Sequence, residues 1–381
     1  MKSSTNWHIR AYEGLDGLKQ LEGDWRRLLA EMPGHGPQHH MEILQAYSEC
    51  LCLTAGITCL ALSDGQRVRA IVPLERYRFG SFGLKMEAWG TPWQLFDICP
   101  DLICPDAEAK AVVIEHVLGW IRRLPGRQPA WLLFDRIFEG SGALDCVKRH
   151  PDRAVCIDDY GAAAVFDCET TYAAFERRLS RKFNANLRAA GRRLQAMDGV
   201  RFVNITDPVE LQRELKVFLA VEASGWKGSD GTRTAICFRP DQRAYYEALV
   251  RTSATGSGIE INALYVGETC IASAICLRGG SEYAVPKIGH DESHAQLSPG
   301  HLLMQWIIRR CMDDPEIRRL NMVSNAAWLS AWRPLQIGRY RVTVGISPWF
   351  GPLWAWFMKQ GTFWAPRFKR ALGIFRNEAP N

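Results

Sequence analysis

Three apolar runs in the second half of the chain predict a β-meander followed by a helix. The runs are rich in β-branched and aromatic residues and cover residues 259–266, 270–277 and 283–288. Gly267-Glu268 and Gly279-Gly280 lie between them and predict tight turns. Ser298-Pro299-Gly300 then predicts a helix start, because serine caps free N–H groups and proline fits the first turn. A fourth strand is expected to end near Val323.

The first half repeats this order of elements. Helices are predicted at 15–29, 41–49 and 107–122, and strands at 57–62, 67–74, 85–89 and 130–135. In the second half, helices at 208–225 and 240–251 precede the meander. Two copies of one α/β unit are the economical interpretation, and residues 158–166 are the predicted crossing point between them.

A long helix is predicted over residues 171–197, because apolar residues recur there at three- and four-residue steps. Its remaining positions carry basic residues with few acids nearby: Arg177, Arg178, Arg181, Lys182, Arg188, Arg192 and Arg193. Such a face suits coenzyme A phosphates, a phosphorylated acceptor or an RNA backbone. A solvated helix surface is the alternative.

The composition indicates a globular protein with two domains. The chain has 381 residues, of which 47% are hydrophobic and 23% charged, which fits neither a disordered chain nor an integral membrane protein. Its twelve cysteines show no metal-ligand spacing, so no metal is expected. The first residues lack the apolar stretch of a signal peptide, which predicts a cytoplasmic location.

The C-terminal segment concentrates positive charge and tryptophan. Residues 339–381 contain seven Lys or Arg and one acid, Glu378. The tryptophans among these cations are Trp349, Trp354, Trp356 and Trp364. The segment is too short to cross a bilayer, which takes about 20 apolar residues. Residues 346–376 instead predict a peripheral contact with the headgroup layer of the inner membrane face. The alternatives are a strap on the second domain, a dimer contact or a grip on RNA.

Five segments resemble the CelD-like bacterial acyltransferases of the GNAT superfamily. They are RLSRKFNANLRAAGRRL (178–194), EASGWKG (222–228), KIGHDE (287–292), LSPGHLL (297–303) and the strand end Pro73-Leu74. The resemblance implies an α/β (α+β) fold of two tandem GNAT-like mixed-sheet domains with flanking helices, distantly similar to Fem-type transferases. The implied limits are 1–165 and 166–345, with a Trp-rich basic tail at 346–381. The glycine-rich pyrophosphate loop of the superfamily is reduced here to Gly300.

The resemblance implies N-acyl transfer from acyl-CoA, a co-substrate, to an amine acceptor, with no permanently bound cofactor. Because the tail predicts a membrane contact, the expected acceptor is a lipid or lipid-linked amine. The alternatives are a Fem-like transfer from aminoacyl-tRNA, although a nucleic-acid partner is less expected, and a non-catalytic scaffold in exopolysaccharide biosynthesis.

His290 is the first candidate for the general base, because an imidazole accepts a proton near neutral pH. Asp291 is expected to orient it, and Glu222, beside an apolar stripe, is the second candidate. The alternatives are a structural histidine and, for Glu222 with Lys227, a helix-terminal salt bridge. Pro286 predicts a bulge in the same strand.

Two sets of binding residues complete the predicted site. Ser298, Gly300, His301 and Lys287 are the candidates for holding the acyl-CoA. Lys227, Trp226, Asn325, Trp332 and Arg333 are the candidates for the acceptor, with Trp332 equally suited to the core.

Overall fold

A single mixed sheet of twelve strands organises the chain. The computed structural model describes residues 6–32, 34–52, 56–81, 84–92, 98, 101–125, 129, 131–149, 155–225, 227–229 and 231–346. The strand order is β1-β2-β3-β4-β5-β12-β6-β11-β10-β9-β8-β7. The strands are β1 (His8–Glu13), β2 (Ile57–Ser63), β3 (Val68–Ser81), β4 (Leu84–Gly90), β5 (Trp131–Phe138), β6 (Val155–Asp167), β7 (Val200–Ile205), β8 (Ile259–Val266), β9 (Thr269–Gly279), β10 (Glu282–His290), β11 (Arg319–Asn321) and β12 (Leu335–Gly345).

Helices cover both faces of this sheet. They are α1 (Gly14–Ala30), α2 (Met41–Cys50), α3 (Ala107–Arg123), α4 (Gly142–Lys148), α5 (Tyr172–Arg178), α6 (Arg181–Gln195), α7 (Pro208–Ala223), α8 (Pro240–Arg251) and α9 (Pro299–Asp313). Short 3₁₀ turns lie between them, including Glu292–Leu297 before α9 and Ala327–Trp332 after β11. The predicted mixed α/β fold is confirmed.

The two halves of the sheet repeat one unit, as the sequence predicts. Each half has an antiparallel meander, then a parallel pair, β4 with β5 and β10 with β11. Gly267 and Gly280 close the predicted turns with positive φ angles of 56° and 51°, which glycine adopts without strain. Helices α1, α2 and α3 of the first half correspond in order to α7, α8 and α9.

The halves exchange their last strands. β6 follows the first half along the chain but pairs with β11 of the second, and β12 ends the second half but pairs with β5 of the first. β6 and β12 also pair with each other, which joins the halves into one sheet. The prediction of a crossing point at 158–166 is confirmed, whereas the sequence gave no sign of β12. The boundary between 165 and 166 stays a prediction, because it falls inside β6.

Three apolar cores hold these layers together. The first packs α1, α2, α7 and α8 against one face of the sheet and is shared by both halves, with Trp25, Tyr47 and Phe218 almost fully buried. On the other face, α5, α6 and α9 form a core in the second half, and α3 and α4 form one in the first. The faces of the second half are called here the α7 face and the α9 face.

The long helix predicted over 171–197 is wrong in one respect. It breaks at Leu179, which is extended, and Ser180 begins a second helix by accepting a hydrogen bond from the Phe183 N–H at 3.1 Å. Serine side chains offer the backbone such an alternative to a continuous helix, which the apolar period does not reveal. The predicted tail lies outside the described residues from 347 onward.

Candidate functional site

β10 and β11 part halfway along their length. Their parallel pairing runs from Glu282 opposite Arg319 to Ala284 opposite Asn321, and in the described chain it extends no further. Past that point β10 keeps only β9 as its partner, with a register shift between Ala284 and Lys287. The bulge predicted from Pro286 is thereby confirmed. The result is an opening in the sheet between the second half of β10 and the exit of β11.

The exit of β11 is held in a strained conformation. Val323 has a φ of 59°, which is unfavourable for a β-branched residue and costs about 1–3 kcal/mol. Asn321 accepts a hydrogen bond from the Val323 N–H at 2.8 Å, and Arg339 donates to its carbonyl at 3.0 Å. Three contacts with neighbouring residues therefore fix the edge of the opening. No sequence signal points to Val323, because its side chain is typical of a strand.

The backbone donors of β10 alternate between its two edges. The N–H of Asp291 bonds the Ile271 carbonyl of β9 at 2.9 Å, so odd-numbered donors face β9. The N–H groups of Ile288 and His290 consequently face the opening. Pro286, at the same parity, contributes no N–H.

Side chains of β10 alternate between the two faces of the sheet. His290 and Ile288 pair in register with Ala272 and Ala274, which belong to the α9 core, so they point to the α9 face. Lys287 pairs with Ile275 of the other core and points to the α7 face. The donor-binding role predicted for Lys287 is therefore wrong in its location, because α9 lies on the opposite face. The opening connects the two faces.

The N-terminus of α9 keeps its backbone donors available. Ser298 adopts a left-handed conformation with a φ of 53°, and its side chain makes no capping hydrogen bond. The predicted serine cap is wrong for this reason. A Cβ atom on Gly300 would lie 3.3 Å from Nδ1 of His290, so the helix start and the histidine are in close contact. Uncapped N–H groups and the positive helix end favour an anionic ligand.

The corresponding helix of the first half is already occupied by its own carboxylates. Asp106 caps α3 by accepting hydrogen bonds from Glu108 at 2.8 Å and Ala109 at 2.9 Å. The β4–β5 pair is also bridged past its end, because Thr91 donates its N–H to Leu133 and accepts the N–H of Asp135 on its hydroxyl. Only the second half combines an opening with an uncapped helix among the residues described.

His290 is exposed beside this helix start, but Asp291 does not orient it. The Asp291 carboxylate accepts hydrogen bonds from Ser293 and lies 3.1 Å from Nδ1 of His294. It caps the short turn before α9 instead, so the predicted His290–Asp291 couple is wrong. His290 keeps the position of a base at the mouth of the opening.

His301 forms a second imidazole next to His290. Its Nδ1 accepts a hydrogen bond from the indole N–H of Trp332 at 3.2 Å, and its ring lies 5.4 Å from Phe183. Burial among these rings and the nearby His290 lower the pKa of His301. His301 is therefore neutral at pH 7 and carries its proton on Nε2. Trp332 itself is fully buried, which fits the core alternative rather than contact with an acceptor.

Glu222 lies under β10 on the α7 face, where both of its oxygens have partners. Oε1 is 3.2 Å from Nζ of Lys227, and Oε2 accepts the N–H of Ile236 at 2.9 Å. A Cβ atom on Gly289 would approach Cα of Glu222 to 3.1 Å, so this glycine permits the close packing of α7 on β10. The geometry favours the salt-bridge alternative and makes Glu222 an anchor for residues 227–236.

The remaining predicted acceptor residues lie at the edge of the site or outside the description. Asn325 is exposed and accepts a hydrogen bond from Gln336 at 3.1 Å. Arg333 is exposed and donates to the Arg178 carbonyl at 2.8 Å. Trp226 lies outside the described residues. Asn325 and Arg333 adjoin the exit of β11 without a contact that assigns them a role.

A buried polar network, which the sequence did not indicate, anchors α9 to the sheet. The Arg310 guanidinium lies 2.9 Å from the Glu260 carboxylate and donates to the Tyr283 hydroxyl at 3.0 Å. Asn262 donates to the same hydroxyl at 2.7 Å. Because Tyr283 belongs to β10, this network fixes the distance between the helix and the strand that border the opening.

Neither metal ligation nor a membrane span is indicated within the described part of the chain. No group of three or more His, Cys, Asp or Glu side chains there is arranged to hold a metal ion. None of the described helices has the length and apolar character needed to cross a bilayer.

Known proteins share both the sequence pattern and the fold. The acetyltransferase (GNAT) domain family matches residues 181–328. No curated protein matches the chain in sequence.

Solved structures with a similar fold include three transferase-related proteins. FemX has a TM-score of 0.59 at 8% identity, covering 86% of this chain and 97% of its own. The C-terminal domain (DUF2156) of a protein assigned as a lysylphosphatidylglycerol synthetase in Agrobacterium fabrum has a TM-score of 0.52 at 13% identity, covering 84% of this chain and 91% of its own. A tandem GNAT protein from the clavulanic acid biosynthesis pathway has a TM-score of 0.47 at 11% identity, covering 88% of this chain and 98% of its own. At these identities the likeness concerns the fold. The second half of the chain, with β10, β11 and α9, thus contains a GNAT acetyltransferase domain.

Proposed function

We propose that the protein is an N-acyltransferase that moves an acyl group from acyl-CoA to an amine acceptor. The observation that carries the proposal is the opening between β10 and β11 beside the uncapped N-terminus of α9. It lies within the residues that match the acetyltransferase (GNAT) domain. The first half lacks both features in its described residues, so one active centre per chain is proposed.

The donor would enter from the α9 face. Its pyrophosphate would accept hydrogen bonds from the first N–H groups of α9, with the helix dipole adding to the attraction. The side chain of His301 lies in the same first turn, and its Nε2 proton is a further donor. The pantetheine arm would then run into the opening, where the Ile288 and His290 N–H groups face the thioester carbonyl.

The acceptor would approach the opening, and its amine nitrogen would attack the thioester carbon. The N–C bond forms while His290 takes the proton from nitrogen, and the carbonyl oxygen becomes an oxyanion held by backbone N–H groups of β10. The C–S bond then breaks, and the sulfur leaves as a thiolate that is protonated to free coenzyme A. The products are an amide and the thiol, with no oxidant or reductant needed.

The acceptor is proposed to be a lipid or lipid-linked amine. The support is the sequence of residues 346–376, in which tryptophans alternate with cations. A long-chain amino alcohol and an amino sugar on a lipid carrier both present a primary amine near a membrane surface. A long-chain acyl-CoA would suit the same location.

Thermal shift and product analysis test this proposal with the full-length protein. Palmitoyl-CoA, acetyl-CoA and free coenzyme A are compared, since a ligand raises the melting temperature only by binding the folded state. Amide formation on a sphingoid base is then followed by mass spectrometry. His290→Ala should lower kcat by about 100-fold or more while the donor still stabilises the protein, because general bases contribute about 10²–10⁴.

His116→Gln, in α3 of the first half, is the matched control and should leave the rate unchanged. The absence of stabilisation by any of the three carriers would refute the assignment of the donor. Full activity of the His290→Ala variant would remove His290 from the mechanism.

A further inference from the structure

Positive charge is concentrated in the segment that contains α5 and α6. Residues 171–197 hold seven Lys or Arg and one acid, Glu176. Residues 339–381 also hold seven Lys or Arg and one acid, so the rest of the chain contains 33 basic and 39 acidic residues. A chain with a net charge of +6 therefore has a body of net charge −6 and two strongly basic segments.

On α6 the basic residues form a ridge opposite the buried face. Arg181, Arg188 and Arg192 lie at positions i, i+7 and i+11, which share one side of a helix with 3.6 residues per turn. All three are exposed, whereas Leu187 and Leu194 on the other side are buried in the α9 core. The ridge extends about 16 Å, at a rise of about 1.5 Å per residue.

The ridge is not neutralised by neighbouring acids. In the described chain, the only carboxylate within 4.0 Å of these guanidinium groups is that of Glu176, 3.9 Å from Arg188. Lys182 is also exposed, and Arg193 donates to the Gln296 carbonyl rather than to a carboxylate. Exposed cations without counter-charges attract an anionic partner over about a Debye length.

We propose that this ridge docks the protein on an anionic phospholipid surface. A helix lying on the sheet is convex, so its outer side presents charges to a plane and does not enclose a polymer. The exposed positions of α6 also carry no aromatic side chain, which single-stranded RNA needs for base stacking. Each cation near an anionic leaflet contributes about 1 kcal/mol of attraction.

The ridge belongs to the same helix that borders the candidate site. Phe183, between Arg181 and Arg188, contacts the rings of His301 and Trp332 at 5.4 Å and 5.0 Å. A membrane bound by the ridge would therefore lie close to the start of α9. The inference extends the proposed function, since it gives a lipid-linked acceptor a route to the opening.

Vesicle co-sedimentation of the full-length protein tests the inference. Vesicles of phosphatidylcholine alone are compared with vesicles that contain phosphatidylglycerol, at low and at high salt. The triple variant Arg181→Glu, Arg188→Glu and Arg192→Glu should bind anionic vesicles at least about 100-fold more weakly, since three attractions of about 1 kcal/mol are lost. A version with three glutamines should fall between this variant and the wild type.

Lys19→Glu, Arg67→Glu and Lys216→Glu form the matched control, because they change the net charge equally at exposed positions outside α5 and α6. The control should keep nearly full binding. Equal losses in both triple variants, or unchanged binding in the ridge variant, would overturn the inference. Tighter binding of an RNA oligonucleotide than of anionic vesicles, lost in the ridge variant, would overturn the lipid assignment. Vesicle binding without acyl transfer would leave the ridge in place and remove only the proposed function.

Discussion

Replacing Glu222 by glutamine distinguishes an anchor from a general base. The carboxylate lies 3.2 Å from Nζ of Lys227 and accepts the Ile236 N–H at 2.9 Å. Glutamine preserves one oxygen for Ile236 but turns an amide toward the ammonium group. The ion pair that holds residues 227–236 against α7 would be lost, while the volume of the side chain stays the same.

The expected cost follows from the burial of the two partners. Breaking a buried ion pair by removing one partner costs about 3–5 kcal/mol. The Glu222 side chain is 3% exposed, but that of Lys227 is 27% exposed, so water can solvate the remaining ammonium. We therefore expect Glu222→Gln to lower the free energy of unfolding by about 2 kcal/mol.

A double-mutant cycle with Lys227→Met measures the interaction itself. Chemical denaturation of the two single variants and the double variant should give a coupling energy of about 1–3 kcal/mol, because contacting residues are not additive. Activity should follow the same cycle, with a raised KM for the acceptor in both single variants. If Glu222→Gln abolishes kcat with unchanged stability, while Lys227→Met is fully active, Glu222 is the base and the anchor assignment is wrong.

Three further predictions concern the same framework. Arg310→Met should destabilise the protein by about 3 kcal/mol in chemical denaturation, because it leaves Glu260 buried without its cation, and adding Glu260→Gln should recover part of the loss. His301→Gln, which places an N–H where Nε2 is, should keep the KM for acyl-CoA, whereas His301→Asn should raise it about tenfold, the value of one hydrogen bond to a charged group; equal KM values would refute the donor role. Burial lowers the pKa of both His39 and His40 to about 4. Since the unfolded chain binds these protons from pH 6.5 downward and the folded chain does not, stability should fall by up to about 3 kcal/mol per pH unit between pH 6.5 and 4, and replacing both by glutamine should flatten that slope.

Local pattern was sufficient for the elements that border the site. β8 and α8 begin and end at the predicted residues, because strand composition, glycine turns and a helix-starting proline act within a few positions. The bulge at Pro286 followed from the missing N–H alone. Predictions based on chain neighbours failed where the contact is distant. Asp291 is next to His290 in sequence, yet it caps the following turn, and Lys287 points away from α9 once the bulge shifts the register.

Long-range pairing explains what the sequence did not reveal. β12 carries no pattern that distinguishes the first half from the second as its partner, and its position beside β5 depends on the whole sheet. The Arg310 network joins residues about 50 positions apart in the chain, at 27 and 50 residues from Tyr283 and Glu260. Gly289 was the one informative signal, because a glycine inside a strand marks a close approach.

The strand exchange makes the active half dependent on the other. β11 is only three residues long, Arg319–Asn321, and is sandwiched between β10 and β6. A chain that begins at residue 166 would lack most of β6 and leave β11 with an unpaired edge, which exposes backbone groups to incorrect pairing. The shared core of α2 and α8 would be cut as well. We therefore expect such a fragment to be insoluble or poorly folded, whereas the full chain is folded. A cooperative unfolding transition and carrier binding by a fragment of residues 166–345 would show that the first half is dispensable for the site.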